Sequence, residues 1–171
     1  YSAKPMHSYW DDAFTLRGLE DATTIATVLG RPERTSYARM RDEFRRDLMA
    51  SYRLAMVEHR IDYLPGSVEL GDFDATSTTV SVTPGGQLDS LPHPALERTF
   101  EKYYASFVQR RTTNQWSDYT PYELRIVGTM VRLGWKARAH ELLDFFFQGQ
   151  RPSAWRAWGE GVDRASTGAK F

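Results

Sequence analysis

Apolar residues recur at helical spacing along most of this chain. From Asp11 onward, apolar or small residues fall three and four positions apart, as one face of a helix requires. That stripe consists of Phe14, Gly18, Ala22, Ile25 and Leu29. The pattern predicts an amphipathic helix with Asp11 on its inward face and Asp12 pointing in a neighbouring direction.

A second stripe predicts a partner for this helix. It ends near His59 and Arg60, and basic residues favour a helix C-terminus. Gly30-Arg31-Pro32 lies between the two stripes, and a glycine just past a helix end followed by a proline ends one helix and permits the next. The two segments therefore predict an αα-hairpin. The second stripe consists of Tyr37, Met40, Phe44, Leu48, Tyr52 and Ala55.

Three further helices are predicted in the second half of the chain. Thr120-Pro121-Tyr122-Glu123 is a strong helix start, because it combines a threonine cap, a proline at the first position and a glutamate three residues after the cap. Leu133-Gly134 ends that helix. The helices before and after it are predicted by Leu96, Phe100, Tyr103 and Phe107, and by Ala139, Leu142, Leu143 and Phe146.

Composition and charge exclude several function classes. With 22 basic and 22 acidic residues the formal net charge is +0, which removes the electrostatic footprint of a nucleic-acid-binding protein or a polybasic membrane protein. The absence of cysteine excludes thiolate sites and disulfides, and the four histidines lack metal-ligand spacing. No metal or cofactor is expected. The longest apolar runs, such as Phe145-Phe146-Phe147, are far too short to span a membrane.

An aromatic pair followed by two carboxylates opens the first helix. An indole such as Trp10 can stack on the apolar face of a sugar ring, and the carboxylates of Asp11 and Asp12 can bind hydroxyls or exchange a proton. The structural alternative is that Ser8 caps the helix while Asp11 complements its dipole. Trp10 could equally be a core residue.

A second cluster places three carboxylates within six residues, at Glu69, Asp72 and Asp74. Like charges held close together raise the pKa of at least one of them, as a general acid near neutral pH requires. Asp74 is the first choice for the acid and Asp72 the second. The alternative for either aspartate is a helix N-cap.

The C-terminal region adds Trp155, Trp158 and Glu160. The two tryptophans are candidate stacking platforms, and Glu160 is the candidate base that would activate water. The alternative for Glu160 is a surface glutamate in a frayed tail.

Three segments resemble a known family in chain order. Tyr9-Trp10-Asp11-Asp12-Ala13-Phe14 resembles the tyrosine-tryptophan-aspartate-x-x-phenylalanine segment of trehalases and processing α-glucosidases, which are six-hairpin, (α/α)6-barrel glycoside hydrolases. The run from Glu69 to Ser77 is similar to the segment that carries their general acid. The run from Trp155 to Glu160 resembles segments near the opposite carboxylate in glycogen-debranching relatives.

The resemblance implies an all-α array of αα-hairpins. At about fifty residues per hairpin the chain holds about three hairpins, or half of an (α/α)6 toroid, so we expect a single, incomplete toroid domain over 1–171. Apolar helix faces near Phe145 to Phe147 or around Phe14 would then be exposed, or covered by self-association. The resemblance also assigns the β-branched run from Thr76 to Val82 to a short capped helix, although propensity alone favours a strand.

The resemblance thus implies part of a glycoside hydrolase that acts on α-linked, glucose-like sugars by an inverting acid/base mechanism. The isolated chain is expected to be inactive, and its partner is an oligosaccharide or glycoside. The resemblance implies that the substrate-binding residues are Tyr9, Trp10, Asp11, Asp12, Glu69, Trp155 and Trp158. The alternative is a non-catalytic helical repeat module that binds carbohydrate or a protein. The chain begins at Tyr1 rather than at methionine, so targeting is left open, although the resemblance favours the periplasm or secretion.

Overall fold

A computed structural model describes residues 5–113 and 121–148, together with residues 154 and 156. Within these ranges every regular element is a helix. The only β-type pairings are two isolated antiparallel bridges, which join Ser8 to Ser67 and Pro65 to Phe73. The predicted all-α class is confirmed. The helices are α1 (Tyr9–Val28), α2 (Arg34–His59), α3 (Ala75–Val82), α4 (Ala95–Thr113), α5 (Leu124–Arg132) and α6 (Lys136–Gln148), with a 3₁₀ turn at Pro121–Glu123.

The chain divides into two compact units, residues 1–99 and 100–171. Helices α1 to α3 belong to the first unit and α5 and α6 to the second, and the boundary falls within α4. The expectation of a single toroid domain stays a prediction. None of the helices in the described ranges is both long and apolar enough to cross a membrane.

The first unit is built on the predicted hairpin of α1 and α2. Gly30, which follows α1, has a φ of +62°, a backbone conformation that glycine adopts without strain. The C-terminal half of the predicted α2 stripe is buried, with Leu48, Tyr52 and Ala55 all facing the core. The helix ends at His59, as predicted, and Arg60 caps it in the left-handed conformation.

The prediction of which face of α1 points inward is wrong. Phe14, Ile25 and Leu29 of the predicted stripe are exposed, and Asp11 is exposed with them. The reason is a tertiary contact: the Tyr9 ring stacks on Tyr52 of α2 at 3.9 Å between centroids and 16° between planes, which turns a different face toward the core. The buried residues of α1 are Tyr9, Ala13, Leu16 and Ala26.

Helix α3 forms despite its β-branched sequence. Asp74 is its N-cap, and its carboxylate accepts hydrogen bonds from the backbone N–H groups of Thr76 and Ser77, both at 3.0 Å. The hydroxyls of Thr78 and Thr79 bond to carbonyls of the same turn, so these polar groups are satisfied although α3 is almost entirely buried. The helix implied by the resemblance is confirmed.

The second unit contains the α5 and α6 hairpin, with Gly134 at a φ of +80° in the turn. The predicted stripes of α4 and α6 are buried except for Leu143, which is partly exposed.

The second unit also contains a buried ion cluster. The Glu123 carboxylate accepts two bonds from the Arg110 guanidinium, at 2.7 and 3.1 Å, and a third from the Tyr103 hydroxyl.

Both regions expected to expose apolar surface do so in part. Phe14 is 45% exposed and Phe147 is 54% exposed, whereas Phe146 is buried and Phe145 packs edge-on against Phe107. The exposed apolar side chains could be covered by self-association, which stays a prediction.

Candidate functional site

The first residues of α1 lie directly beside the segment that carries the second carboxylate cluster. The backbone N–H of Tyr9 donates to the carbonyl of Gly66 at 3.1 Å, and the N–H of Val68 donates to the carbonyl of His7 at 3.0 Å. The Ser8–Ser67 bridge lies between these two bonds. Residues 65–74, hereafter the carboxylate loop, are therefore fixed against the N-terminus of α1.

The carboxylate loop folds back on itself. The Gly66 N–H donates to the carbonyl of Asp72 at 2.9 Å, next to the Pro65–Phe73 bridge. Gly71 stands at the tip with a φ of +59°, and a Cβ added there would lie 2.3 Å from the His59 ring. Only glycine fits this approach. The Nε2–H of His59 also donates to the Val68 carbonyl at 2.7 Å, which ties the loop to the end of α2.

The two aromatic residues of the first motif have different environments. Tyr9 is 1% exposed, and its hydroxyl lies 2.9 Å from the hydroxyl of Ser51, so its ring packs in the core. Trp10 is only partly buried, and its ring lies 5.7 Å from that of Phe14. Of the pair, Trp10 is the more exposed.

Glu69 is engaged by His7. The backbone N–H of His7 donates to Oε2 of Glu69 at 2.8 Å, and the ring Nδ1–H donates to Oε1. These hydrogen bonds lower the pKa of the Glu69 carboxyl and raise the pKa of the His7 imidazole. The expectation that crowding raises a carboxyl pKa in this loop therefore does not hold for Glu69, because its nearest charged partner is a histidine.

The two candidate acids of the carboxylate loop both accept hydrogen bonds. Oδ1 of Asp72 accepts from the Ser67 hydroxyl at 2.6 Å. The carboxylate of Asp74 accepts from the N–H groups and the hydroxyls of Thr76 and Ser77, four bonds in all. The capping alternative is thus realised at Asp74, which holds the start of α3.

The remaining two aspartates are neighbours in the first turn of α1 and differ in burial. Asp11 is exposed, whereas Asp12 is half-buried on the side of the helix that carries Tyr9 and Leu16. Burial raises the pKa of the Asp12 carboxyl, His7 lowers it and the negative charge of Asp11 adds to the rise. Sequence periodicity assigned the inward position to Asp11; the core contact of Tyr9 gives it to Asp12.

Two of the predicted segments lie side by side in the structure. Backbone hydrogen bonds of Tyr9 and Val68 join the start of α1 to the carboxylate loop. The first segment carries Tyr9, Trp10, Asp11 and Asp12, and the second carries Glu69, Asp72 and Asp74. The predicted Glu160, Trp155 and Trp158 lie outside the described residues. His7 was missed, because its pairing with Glu69 depends on a backbone bridge between segments 62 residues apart.

Two further observations concern metal binding and the position of the cavities. Among the described residues, no group of three or more histidine, aspartate and glutamate side chains is arranged to hold a metal ion. A cavity of about 660 Å³ lies elsewhere in the first unit, between the end of α2 and residues 89–93. Its lining includes Met56, Val57 and Leu91 and none of the predicted site residues.

Comparison with known proteins gives no relative: no family model matches the chain, and no curated protein or solved structure matches it significantly.

Proposed function

We propose that this chain contributes a sugar-binding site to a glycoside hydrolase that acts on α-linked, glucose-like sugars by an inverting acid/base mechanism. In this proposal the helical hairpins form about half of an (α/α)6 toroid. The site is the junction between the N-terminus of α1 and the carboxylate loop.

One observation carries the proposal. The Ser8–Ser67 bridge and its two flanking hydrogen bonds hold a partly exposed tryptophan and several carboxylates on adjoining backbone segments. Sugar sites need this combination, because an indole stacks on the apolar face of a pyranose while carboxylates accept hydrogen bonds from its hydroxyls. Trp10 is the stacking platform and Asp11, exposed beside it, is a hydroxyl acceptor.

The reaction requires two carboxyl groups on opposite faces of the sugar ring. One protonates the leaving oxygen, and the other removes a proton from the attacking water. Glu160 remains the proposed base, with Trp155 and Trp158 as further stacking residues. Tyr9, being buried, supports the site by fixing the register of α1, and Glu69 supports it by holding His7.

Sugar binding tests the proposal directly. We expect maltose or trehalose to bind the 171-residue chain and to change its tryptophan fluorescence. We expect Trp10→Ala to weaken that binding about fivefold or more, because the loss of a stacking ring costs about 1 kcal/mol or more, by analogy with about 0.5–1.5 kcal/mol for aromatic pairs and the further loss of buried area. Isothermal titration calorimetry gives the affinity.

The matched control is Trp135→Ala in the second unit, where the indole lies 4.6 Å from the Arg138 guanidinium. That variant removes the same side chain outside the proposed site, so its affinity for sugar should equal that of the wild type. Absence of binding by α-linked disaccharides, or an equal loss in both tryptophan variants, would overturn the proposal.

A different observation favours a second function, that of a helical module that self-associates. At the end of α1, Ile25, Val28 and Leu29 are all more than half exposed. A groove of about 540 Å³ lies beside them and is lined by Ala22, Ile25, Ala26, Leu29, Arg31, Glu33 and Tyr37. An apolar surface of this kind on a helix end is typical of a protein-binding site, here for a second copy of the chain.

Sedimentation separates the two functions. If the chain is a self-associating helical module, it sediments as a dimer, and Ile25→Glu converts it to a monomer. Val131→Glu, which places the same charge at another half-exposed apolar position, should leave the dimer intact. A chain that sediments as a monomer at all concentrations contradicts self-association and leaves sugar binding as the proposed function.

A further inference from the structure

The cavity beside the end of α2 is lined by charged groups of both signs and by apolar side chains. It measures about 660 Å³, lies within the first unit and shares no lining residue with the carboxylate loop. We propose that this cavity binds a zwitterion with an apolar body, namely an apolar amino acid or a short apolar peptide with free ends. The inference adds a second ligand site to the chain and does not depend on the sugar site.

The first step of the argument is that the walls of the cavity are held in place by the fold. One wall is formed at the end of α2, and the other is formed by residues 89–93. The N–H groups of Ser90 and Leu91 donate to the Gln87 carbonyl at 2.9 and 3.0 Å. Gln87 is itself buried, and its side-chain amide donates to the Glu20 carboxylate at 2.8 Å. Small-molecule sites are usually preformed cavities of about 300–1,000 Å³, and this cavity meets both conditions.

The second step is that the histidine of the cavity is already committed to the wall. The Nδ1 atom of His93 lies 2.5 Å from Oε1 of Glu97, and its Nε2 atom lies 3.1 Å from the Leu88 carbonyl oxygen. A ring that donates at both nitrogens is an imidazolium. The bond to Glu97 raises the pKa of His93, and the negative charge of Asp89 adds to that rise. Glu97 therefore offsets the charge of His93, and both ring nitrogens are occupied.

The third step is that the other two charges of the cavity are unpaired. The Arg53 guanidinium makes one hydrogen bond, to the Met49 carbonyl at 3.1 Å, and no carboxylate in the described part of the chain forms an ion pair with it. Across the cavity Asp89 has no hydrogen bond or ion pair with any described group. Either exposed charge alone would simply be solvated by water. The observation that indicates a ligand is that one cation and one anion line the same cavity, where they match the carboxylate and the ammonium of a zwitterion.

The fourth step concerns the apolar part of the lining. Met56, Val57 and Ile61 lie on the α2 side of the cavity, and Leu91 lies on the other. Leu91 is buried, whereas Val57 is 76% exposed. A ligand with an apolar body removes this surface from water, which stabilises the complex in proportion to the area covered. A carboxylate, an ammonium and an apolar group occur together in an apolar amino acid and in a short apolar peptide.

Isothermal titration calorimetry on the 171-residue chain tests the proposal with leucine and with leucyl-leucine. We expect binding of at least one of them, and the tighter of the two identifies the ligand as an amino acid or as a peptide. N-acetylleucine lacks the ammonium and leucinamide lacks the carboxylate, so each should bind about tenfold more weakly than leucine, as the loss of a charge-assisted hydrogen bond predicts. Glycine keeps both charges and should also bind more weakly, because it has no apolar side chain.

Two variants assign the charges. Arg53→Gln should weaken the binding of leucine about tenfold and leave that of leucinamide unchanged, since leucinamide has no carboxylate to lose a partner. Asp89→Asn should weaken the binding of leucine and leave that of N-acetylleucine unchanged. The matched controls are Arg39→Gln and Glu58→Gln, at exposed positions of α2 outside the cavity lining, and both should bind as the wild type does.

Three results would overturn the proposal. The first is that neither leucine nor leucyl-leucine binds at millimolar concentration. The second is that N-acetylleucine or leucinamide binds as tightly as leucine, because the cavity would then not recognise a zwitterion. The third is that the two control variants lose as much affinity as Arg53→Gln and Asp89→Asn, which would place the binding elsewhere. The outcome for maltose or trehalose is measured separately, so failure of the sugar site leaves this site standing.

Discussion

Two carboxylates in this chain, Glu123 and Asp12, differ in burial and in hydrogen bonding. Glu123 in the second unit is 7% exposed and is paired on both oxygens by Arg110, with Tyr103 as a third donor. Asp12 in the first unit is half-buried, and nothing in the described structure donates a hydrogen bond to it. In the first arrangement both carboxylate oxygens accept hydrogen bonds from protein groups, whereas the second leaves the oxygens to water or to a ligand.

Full pairing distinguishes a structural carboxylate from one that is free to bind a ligand. A buried charge that is fully paired restrains its neighbours, and removing one partner leaves the other uncompensated. A half-buried group without a partner contributes little to the fold and weakens it when it ionises.

Breaking the Glu123 cluster should have the largest effect. Glu123→Gln leaves the Arg110 charge buried without its counterion, and we expect a loss of about 3–5 kcal/mol in the stability of the second unit. Hydrogen exchange of amides in α5 and α6 measures this loss locally. The control is Glu141→Gln, because Glu141 makes a half-exposed ion pair with Arg111, and it should cost less than about 1 kcal/mol. Equal losses in the two variants would contradict the contrast.

Removing the cap of α3 should have an intermediate effect. Asp74→Ala deletes an acceptor of four hydrogen bonds, and we expect α3 to lose about 1–2 kcal/mol of stability by amide exchange. Asp74→Asn keeps a capping oxygen and should recover most of that loss. Asp89→Ala, at an exposed loop position, is the control and should leave α3 unchanged. A neutral Asp74→Ala would show that the capping bonds do not hold this helix.

Neutralising Asp12 should stabilise the fold by a smaller amount. Because its pKa is raised in the folded state, the folded chain binds this proton more readily than the unfolded chain. Stability therefore falls as pH rises from the unfolded value of about 3.9 through the raised pKa. Asp12→Asn lacks this loss, so its thermal midpoint should exceed that of the wild type at pH 7, and the gain should vanish below the unfolded pKa.

Asp11→Asn is the matched control for Asp12→Asn, since it removes the same charge from the same helical turn. It loses a favourable interaction with the helix dipole and should be slightly less stable than the wild type at neutral pH. A lower midpoint for Asp12→Asn at pH 7 would mean that its carboxylate is satisfied after all.

The exposed pair of His7 and Glu69 should give the smallest effect. The raised pKa of His7 keeps its contribution in place below the unfolded histidine pKa, and the contribution is lost as pH rises through the raised value. The lowered pKa of Glu69 keeps its contribution above the unfolded glutamate pKa, and this is lost as pH falls through the lowered value. Both contributions of the His7–Glu69 pair, hereafter the tether, are therefore present only between the lowered pKa of Glu69 and the raised pKa of His7.

The Val68 amide reports on this tether, because it donates to the His7 carbonyl. Its exchange should be slowest inside that pH window after correction for the intrinsic rate, and His7→Gln should remove the pH dependence. A Val68 amide whose corrected exchange stays constant across both limits would show that the backbone bridge alone holds the loop.

The sequence predicted the helices well where large apolar residues mark a single face. Phe100 and Phe107 lie on one face of α4 and are both buried, so local periodicity matches the buried face of that helix. In α1 the apolar residues lie on more than one face, and small Ala13 contributes little to the pattern. The face was chosen by the stacking of Tyr9 on Tyr52, a contact between residues 43 positions apart, which local periodicity cannot contain.

The candidate site was predictable in its ingredients and not in its roles. The carboxylates at 11, 12, 69, 72 and 74 are evident in the sequence, but which of them accept hydrogen bonds depends on three-dimensional neighbours. The capping of α3 by Asp74 has a local signal in the small hydroxyl residues that follow it. The hydrogen bonds from His7 to Glu69 have no local sequence signal, because they follow from pairing between distant backbone segments.

The close approach of Gly71 to the His59 ring has an evolutionary consequence. Any relative of this chain that keeps a bulky ring at position 59 must keep glycine at position 71, since a Cβ there would overlap the ring. A side chain at 71 becomes possible only with a small residue at 59, and even then its positive φ favours asparagine or aspartate. Positions 59 and 71 should therefore vary as a pair, and His59→Ala should be the change that first allows Gly71→Asn in a directed-evolution experiment.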